Sequence, residues 1–205
     1  SIESEILKNN LNYTLFEWRK QSGYKPLNID KAEGVYLIDH QKNKILDFSS
    51  GLVNVNIGHG DQRVTDAVLN QMKKVSYVNP STITKVRGDL GKKLSEICPG
   101  NLNKSFFTIC GATGIENAIK LARIYTGRHK ILTRYRSYHG STMGAMSAGG
   151  DPRKLKVDNQ MGPNFVHLEI PYEYRSKGQE WKQDCFDQLD RILAYEGPEN
   201  FAAII

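Results

Sequence analysis

Cysteine is scarce in this sequence. Its three thiols, Cys98, Cys110 and Cys185, stand far apart among 205 residues. An odd, widely spaced set builds no disulfide framework and no metal-type Cys pair, so no metal is expected. The expected setting is a reducing cytoplasm. No apolar run approaches the ~20 residues of a membrane-spanning helix, which leaves no membrane partner. The opening stretch SIESEILKNN is polar and mixed in charge, unlike the basic-then-apolar pattern of a secretory signal. Internal repeats and low-complexity linkers are missing too.

What remains is ordinary globular material. Hydrophobic residues make up 39% and charged residues 24%, enough for a substantial core in one large or two small domains. The net charge of +6 is scattered, with short clusters at Lys73–Lys74, Lys92–Lys93 and Arg128–Arg136. No nucleic-acid recognition motif accompanies it, so no nucleic-acid partner is expected. In the last cluster, RHKILTRYR, basic and apolar residues alternate, as in a strand with one wet face.

Along the chain, the first thirty residues suit an extended arm or a short helix. GVYLIDHQKNKILDFSSG reads as a β-hairpin around a polar HQKN turn. Asp61 is placed to cap a helix bearing Val64, Val68 and Met72, and a second helix carries Val86, Leu90, Leu94 and Ile97 until Pro99–Gly100 stops it. From Phe106 onward, short apolar runs (FFTIC, KILTRYR, FVHLEI, FAAII) alternate with helical or small-residue segments. That alternation predicts an α/β fold, a mostly parallel sheet with flanking helices. FAAII runs to the last residue, so the sheet is expected to be truncated or completed by another chain.

Two junctions carry candidate chemistry. In CGATGIENAIKLAR, a strand ending at Cys110 meets a helix through Gly111, Ala112 and Thr113. Free backbone N–H groups and the helix macrodipole make such a place an anion site, with phosphate the natural guest. Gly111 is expected to allow close approach and an unusual φ, and Thr113 to cap the helix. The glycines match neither G-x-G-x-x-G nor G-x-x-x-x-G-K-[ST], and a plain turn also suits them. At the next strand end, RSYHGSTMGA presents Tyr138 and His139. An aromatic face beside a phosphate cradle fits a flat, phosphorylated heterocycle; a packing Tyr and a locally bonded His fit the same residues.

FFTICGATGIENAIKLARIYTGR and ILTRYRSYHGSTMGAMSAGGDPR together resemble the class III aminotransferases, pyridoxal-phosphate enzymes of fold type I. DKAEGVYLIDHQKNKILDFSSGLVNVNIGHGD resembles their N-terminal segment, at matching spacing, so the likeness runs from about Tyr13 to Ile205. The resemblance implies pyridoxal 5′-phosphate as cofactor. It assigns the phosphate to Gly111, Ala112 and Thr113, and the pyridine ring to Tyr138 with His139 beside it. Leu52 and Val53 become candidates for the substrate pocket, although they suit core packing equally. The loop SYVNPST, residues 76–82, resembles a segment that reaches a partner subunit's site, which implies a homodimer.

Residues 1–60 then correspond to an arm and hairpin of the small domain, and 61–205 to the first part of the large cofactor-binding domain. The implied activity is amino transfer from an amine or ω-amino acid to a keto acid such as pyruvate. A catalytically silent dimerisation or regulatory partner is the alternative. Family members usually show an acidic residue or Ser where Thr113 stands and commonly Ala where Gly114 stands; Glu116 keeps a commonly acidic position. Gly114 costs the helix ~1 kcal/mol in propensity. The family's Schiff-base lysine and the Asp that pairs with the pyridine nitrogen are expected beyond Ile205. Lys120 and Lys130 do not match that lysine's motif, and no catalytic residue is assigned within the chain.

Overall fold

The computed structural model describes residues 2–157, 161–175 and 180–205. It divides into two compact units, Ser1–Leu90 and Gly91–Ile205.

In the first unit, helix α1 (Ile2–Tyr13) precedes an antiparallel sheet of β1 (Ile29–Glu33), β2 (Tyr36–Asp39) and β3 (Lys44–Leu46), in the order β1-β2-β3. The predicted hairpin is β2–β3, with Leu37 opposite Ile45. Its turn places Lys42 at φ 67° and closes through Asp39, whose carboxylate accepts from the Asn43 backbone and side-chain N–H groups. The strand β1 was not expected from the sequence. IDKAE carries little β-branched character, and its place comes from pairing with β2 across the Gly34 turn.

After β3 the chain makes α2 (Ser50–Val53), a left-handed turn with Ser50, Gly51, Leu52 and Val53 at φ 48°, 55°, 62° and 66°. For side chains other than glycine this conformation costs ~1–2 kcal/mol per residue. The fold over-determines it. Asp47 accepts from Ser49 Oγ (3.1 Å) and meets His59 Nε2 at 2.7 Å, while Asn54 Nδ2 donates to the Gly51 and Leu52 carbonyls. The His59 contact, followed by the Gly51 backbone N–H, holds the Asp47 carboxyl below its ordinary value. Helix α3 (Gln62–Lys74) starts at Asp61 as expected, and α4 (Lys85–Ile97) spans the division between the units.

In the second unit, α5 (Gly111–Thr126) leads to β4 (Lys130–Arg134), α6 (Met143–Ala148), β5 (Phe165–Leu168), α7 (Trp181–Glu196) and β6 (Phe201–Ile204). The three strands form one parallel sheet, β5-β4-β6, with Leu132 paired to Val166 on one side and Ile204 on the other. α5 packs on β6 and α6, and α6 on β4 and β5. Ile119 of α5, Ile131 of β4 and Ala148 of α6 form the core, joined by Ile115, Phe165 and Ala203.

Two strand expectations need correction. KILTRYR has no wet face: consecutive Ile131, Leu132 and Thr133 are all buried. β4 is the central strand, with neighbours on both edges and helices against it. The Thr133 hydroxyl pays its desolvation by donating to the Ala148 carbonyl at 2.6 Å. FFTIC forms no strand, and Phe106 and Ile109 are exposed. Apolar, β-branched content gives propensity, but among the described residues the run finds no partner to complete a ladder. The segment between β5 and α7 falls partly outside the described residues.

Candidate functional site

The mouth of α5 is built by backbone. Cys110 is extended (φ −161°, ψ 169°), and its carbonyl accepts the first intrahelical bond, from the Gly114 N–H at 3.1 Å. Cys110 is therefore the N-cap residue, and Thr113 lies within the first turn rather than capping it. Gly111 takes an ordinary helical φ, not the unusual one expected. Its value here is room: a side chain there would meet no heavy atom within 4 Å. The N–H groups of Gly111, Ala112 and Thr113 precede the first helical bond and collect at this opening. Among the described residues no carboxylate caps it. Instead the Cys110 thiol lies 3.1 Å from Thr113 Oγ1. The Thr113 hydroxyl, then the Thr113 and Ala112 N–H groups, hold this thiol below its ordinary value. An electropositive mouth acts on its nearest soft acid in this way.

The second segment leaves β4 and returns across the mouth. Arg136 N–H donates to the Gly150 carbonyl and Gly150 N–H to the Ser137 carbonyl, so the loop is pinned at its base. Between these ties stand Tyr138 and His139. Gly140, at φ 132°, rests on Ala112 of the cradle: a Cβ added to it would strike the Ala112 methyl and lie 2.9 Å from its Cα. That contact joins the two predicted site segments.

The Tyr138 ring is 52% exposed, with the Arg153 guanidinium 4.3 Å from its centroid. Asp151 grips Arg153 through Nε–H (2.6 Å) and Nη2–H (3.0 Å), and that grip draws the Asp151 carboxyl down to about 2. His139 is half-buried, and its Nε2 is sealed from solvent with no hydrogen-bond partner among the described residues. Burial first, and the Arg134 charge second, lower its pKa and favour the neutral ring.

Leu52 and Val53 belong to the first unit, on the left-handed turn, at 83% and 72% exposure. Neither packs into a core formed by the described residues. Sequence reasoning missed the fork of Asp151 and Arg153, which the spacing D-P-R after Gly150 encodes. It also missed the tie from Glu116 to α6. A cavity of about 400 Å³ between Arg136, Ile170, Trp181 and Arg191 contains none of the cradle residues. Among the described residues no cluster of three or more His, Cys, Asp or Glu could hold a metal, and no helix is long and apolar enough to cross a membrane.

A parallel sheet with covering helices defines an α/β protein, and its Tyr138–His139 loop closes on the start of α5. The family profile of aminotransferase class III matches residues 19–205, and the chain belongs to that family. It is similar to the putrescine–pyruvate aminotransferase of Pseudomonas aeruginosa, at 32% identity over 205 residues, covering 89% of this chain and 44% of that one.

Among solved structures, it resembles a taurine:2-oxoglutarate aminotransferase from Bifidobacterium kashiwanohense, in complex with PLP and glutamate. Identity there is 36% and the TM-score 0.91, over 98% of this chain and 47% of that one. An (S)-enantioselective ω-transaminase from Thermomicrobium roseum gives 33% and 0.93, over 98% and 48%. The fold is that of the fold-type I transaminases. The chain spans about half the length of the relatives it matches.

Proposed function

We propose that this chain is the N-terminal portion of a pyridoxal-phosphate-dependent class III aminotransferase. Its reaction moves an amino group from an amine or ω-amino acid to a keto acid such as pyruvate. The observation that carries this reading is the closure of the Tyr138–His139 loop on the uncapped mouth of α5 through Gly140 and Ala112. The residues present fit the cofactor. Gly111, Ala112 and Thr113 offer backbone N–H groups, with open space at Gly111, to a phosphate dianion. Tyr138 offers an exposed aromatic face to a pyridine ring, and His139 a buried Nε2 in want of a partner. When bound, the cofactor supplies an electron sink for the carbanion formed at the substrate carbon.

The chain's own part is to bind and orient. The cradle fixes the phosphate, the Asp151-braced Arg153 steadies the Tyr138 ring, and neutral His139 adds no charge beside it. The proton-moving lysine is assigned outside these residues. Lys130 stands at the opposite end of β4 from Tyr138, with Nζ bonded to the Glu196 carboxylate and carbonyl, each at 2.6 Å. Lys120 lies mid-helix, on the exposed side of α5.

Leu52 and Val53 are assigned to the substrate side, on a turn that presents them to solvent. A cytoplasmic homodimer completes the reading. Its support is the loop of residues 76–82, which resembles the family's subunit-bridging segment. That loop is braced by Asn79 and Arg87, and it leaves Tyr77 exposed.

Pyridoxamine 5′-phosphate tests the reading because it needs no lysine to bind. Titration should quench tyrosine fluorescence, inorganic phosphate should compete, and ATP and NAD should bind far more weakly. Binding of ATP or NAD in preference would sink the assignment. No binding of any of the three would favour the silent-partner alternative.

A further inference from the structure

The N-terminus of α6 is capped by a residue from another helix. Thr142 is its N-cap, yet the Thr142 side chain donates rather than caps. Its hydroxyl gives its proton to Glu116 Oε1 at 2.6 Å. The Gly144 N–H donates to the same oxygen at 2.8 Å, and the Ala145 N–H at 3.3 Å. One carboxylate oxygen on α5 thus takes up three donors at the start of α6, across 26 to 29 residues of sequence. A charged acceptor at a helix N-terminus is favoured both by these bonds and by the macrodipole.

The packing repeats this register. Ala112 and Glu116 are one turn apart on the same face of α5; Gly140 and Gly144 follow the same spacing on the returning segment. Gly140 sits on Ala112. A Cβ at Gly144 would lie 2.7 Å from Glu116 Cδ and 2.8 Å from Oε1. Gly140 has no space for a side chain against Ala112, and a side chain at Gly144 would displace the Glu116 carboxylate, so both contacts favour this register. Tyr138 and His139 immediately precede the first contact, and the cradle N–H groups include that of Ala112.

We infer that Glu116 is a positioning residue for the site: it locks the Tyr138–His139 loop over the mouth of α5, setting the distance between phosphate cradle and aromatic face. The inference rests on the cofactor reading above for its consequence, and on the Glu116 geometry alone for its mechanism. Among the described residues Glu116 accepts from Thr142, Gly144 and Ala145 rather than from a cradle N–H or an aromatic ring; it acts through α6 and Gly140. A ligand that spans cradle and ring should feel its loss, and one that fills only the cradle should not.

The test compares Glu116→Ala and Glu116→Gln in the full chain. Gln keeps an acceptor oxygen at the same reach and is the rescue variant, so a folding failure of Ala does not end the experiment. In the unliganded protein, amide hydrogen exchange at residues 138–145 should speed up in Ala and stay near wild type in Gln. Pyridoxamine 5′-phosphate should bind about tenfold more weakly to Ala, the size expected for losing a charged cap, while inorganic phosphate changes by less than about twofold.

Unchanged exchange at 138–145 in the Ala variant overturns the inference. So does a parallel loss of both ligands, which would mark Glu116 as merely stabilising, and so does a Gln variant that behaves like Ala. If the wild-type chain binds no pyridoxamine 5′-phosphate, the cofactor reading falls and the exchange arm still decides the role of Glu116.

Discussion

Two helix starts in this molecule have opposite endings. At α3, Asp61 accepts from the Arg63 N–H at 3.0 Å and forks onto its guanidinium, so the helix supplies its own anion. At α5 the equivalent place is held by Cys110, which makes no side-chain cap bond, and the space in front of Gly111 is open. The macrodipole is similar at both. Among the described residues, carboxylates serve the starts of α3, through Asp61, and of α6, through Glu116, and none serves the start of α5. A helix start without a side-chain cap, beside an aromatic loop brought to it by Gly140, is what the proposed phosphate site requires. An N-terminus already capped is structure alone.

The comparison is most sharply tested by making α5 resemble α3. Cys110→Asp should place a carboxylate cap on the Gly111–Thr113 amides. The melting temperature should rise by a few degrees while affinity for pyridoxamine 5′-phosphate falls by roughly a hundredfold, since a fixed like charge now occupies the mouth. A variant that gains stability and still binds the phosphate ligand would break the argument. The converse change, Asp61→Ala, removes both cap and Arg63 fork from α3. It should lower the melting temperature by a few degrees and leave ligand affinity within about twofold, measured by thermal unfolding and the same titration.

How far these features were legible depends on the range of the interactions behind them. Asp61, Gly127 and the HQKN turn are local signals. A cap, a left-handed C-cap at φ 67° and a tight turn depend on a few adjacent residues, and each could be read directly or by simple pattern. Strand–helix alternation also carried the α/β class, because burial imposes the period. The corrections arise where a partner distant in sequence decides. FFTIC has strand composition, but composition cannot supply the neighbour a ladder requires. The middle of β4 is buried because β5 and β6 flank it and α5 and α6 pack against it. Gly111, Ala112 and Thr113 share the first turn of α5. Thr113, the better capping residue type, does not cap it, because the carbonyl that closes the first turn belongs to Cys110. Glu116 was visible only as an acidic position; its three bonds to α6 needed the fold.

The smallest expected effect concerns the brace behind Tyr138. Asp151 holds Arg153 over that ring, and the Arg153 hydrogen bonds lower its carboxyl from 3.8 to about 2. A carboxyl lowered in the folded state contributes stability above its unfolded value and loses it as pH falls through the folded one. The brace should therefore persist at pH 4, weaken below it and release near pH 2, with no change above pH 5. In Asp151→Asn the charged grip is gone at every pH, so Tyr138 emission should be nearly flat across that acid window. The wild type should show a step on the acid side, read by tyrosine fluorescence or proton NMR of the ring. The Asp61–Arg63 fork of α3 provides the internal control: its carboxyl is lowered as well, chiefly by the Arg63 side chain, but no aromatic ring is described with it. A tyrosine step that survives in Asp151→Asn would assign the acid transition to some other group and detach Arg153 from the aromatic side of the site.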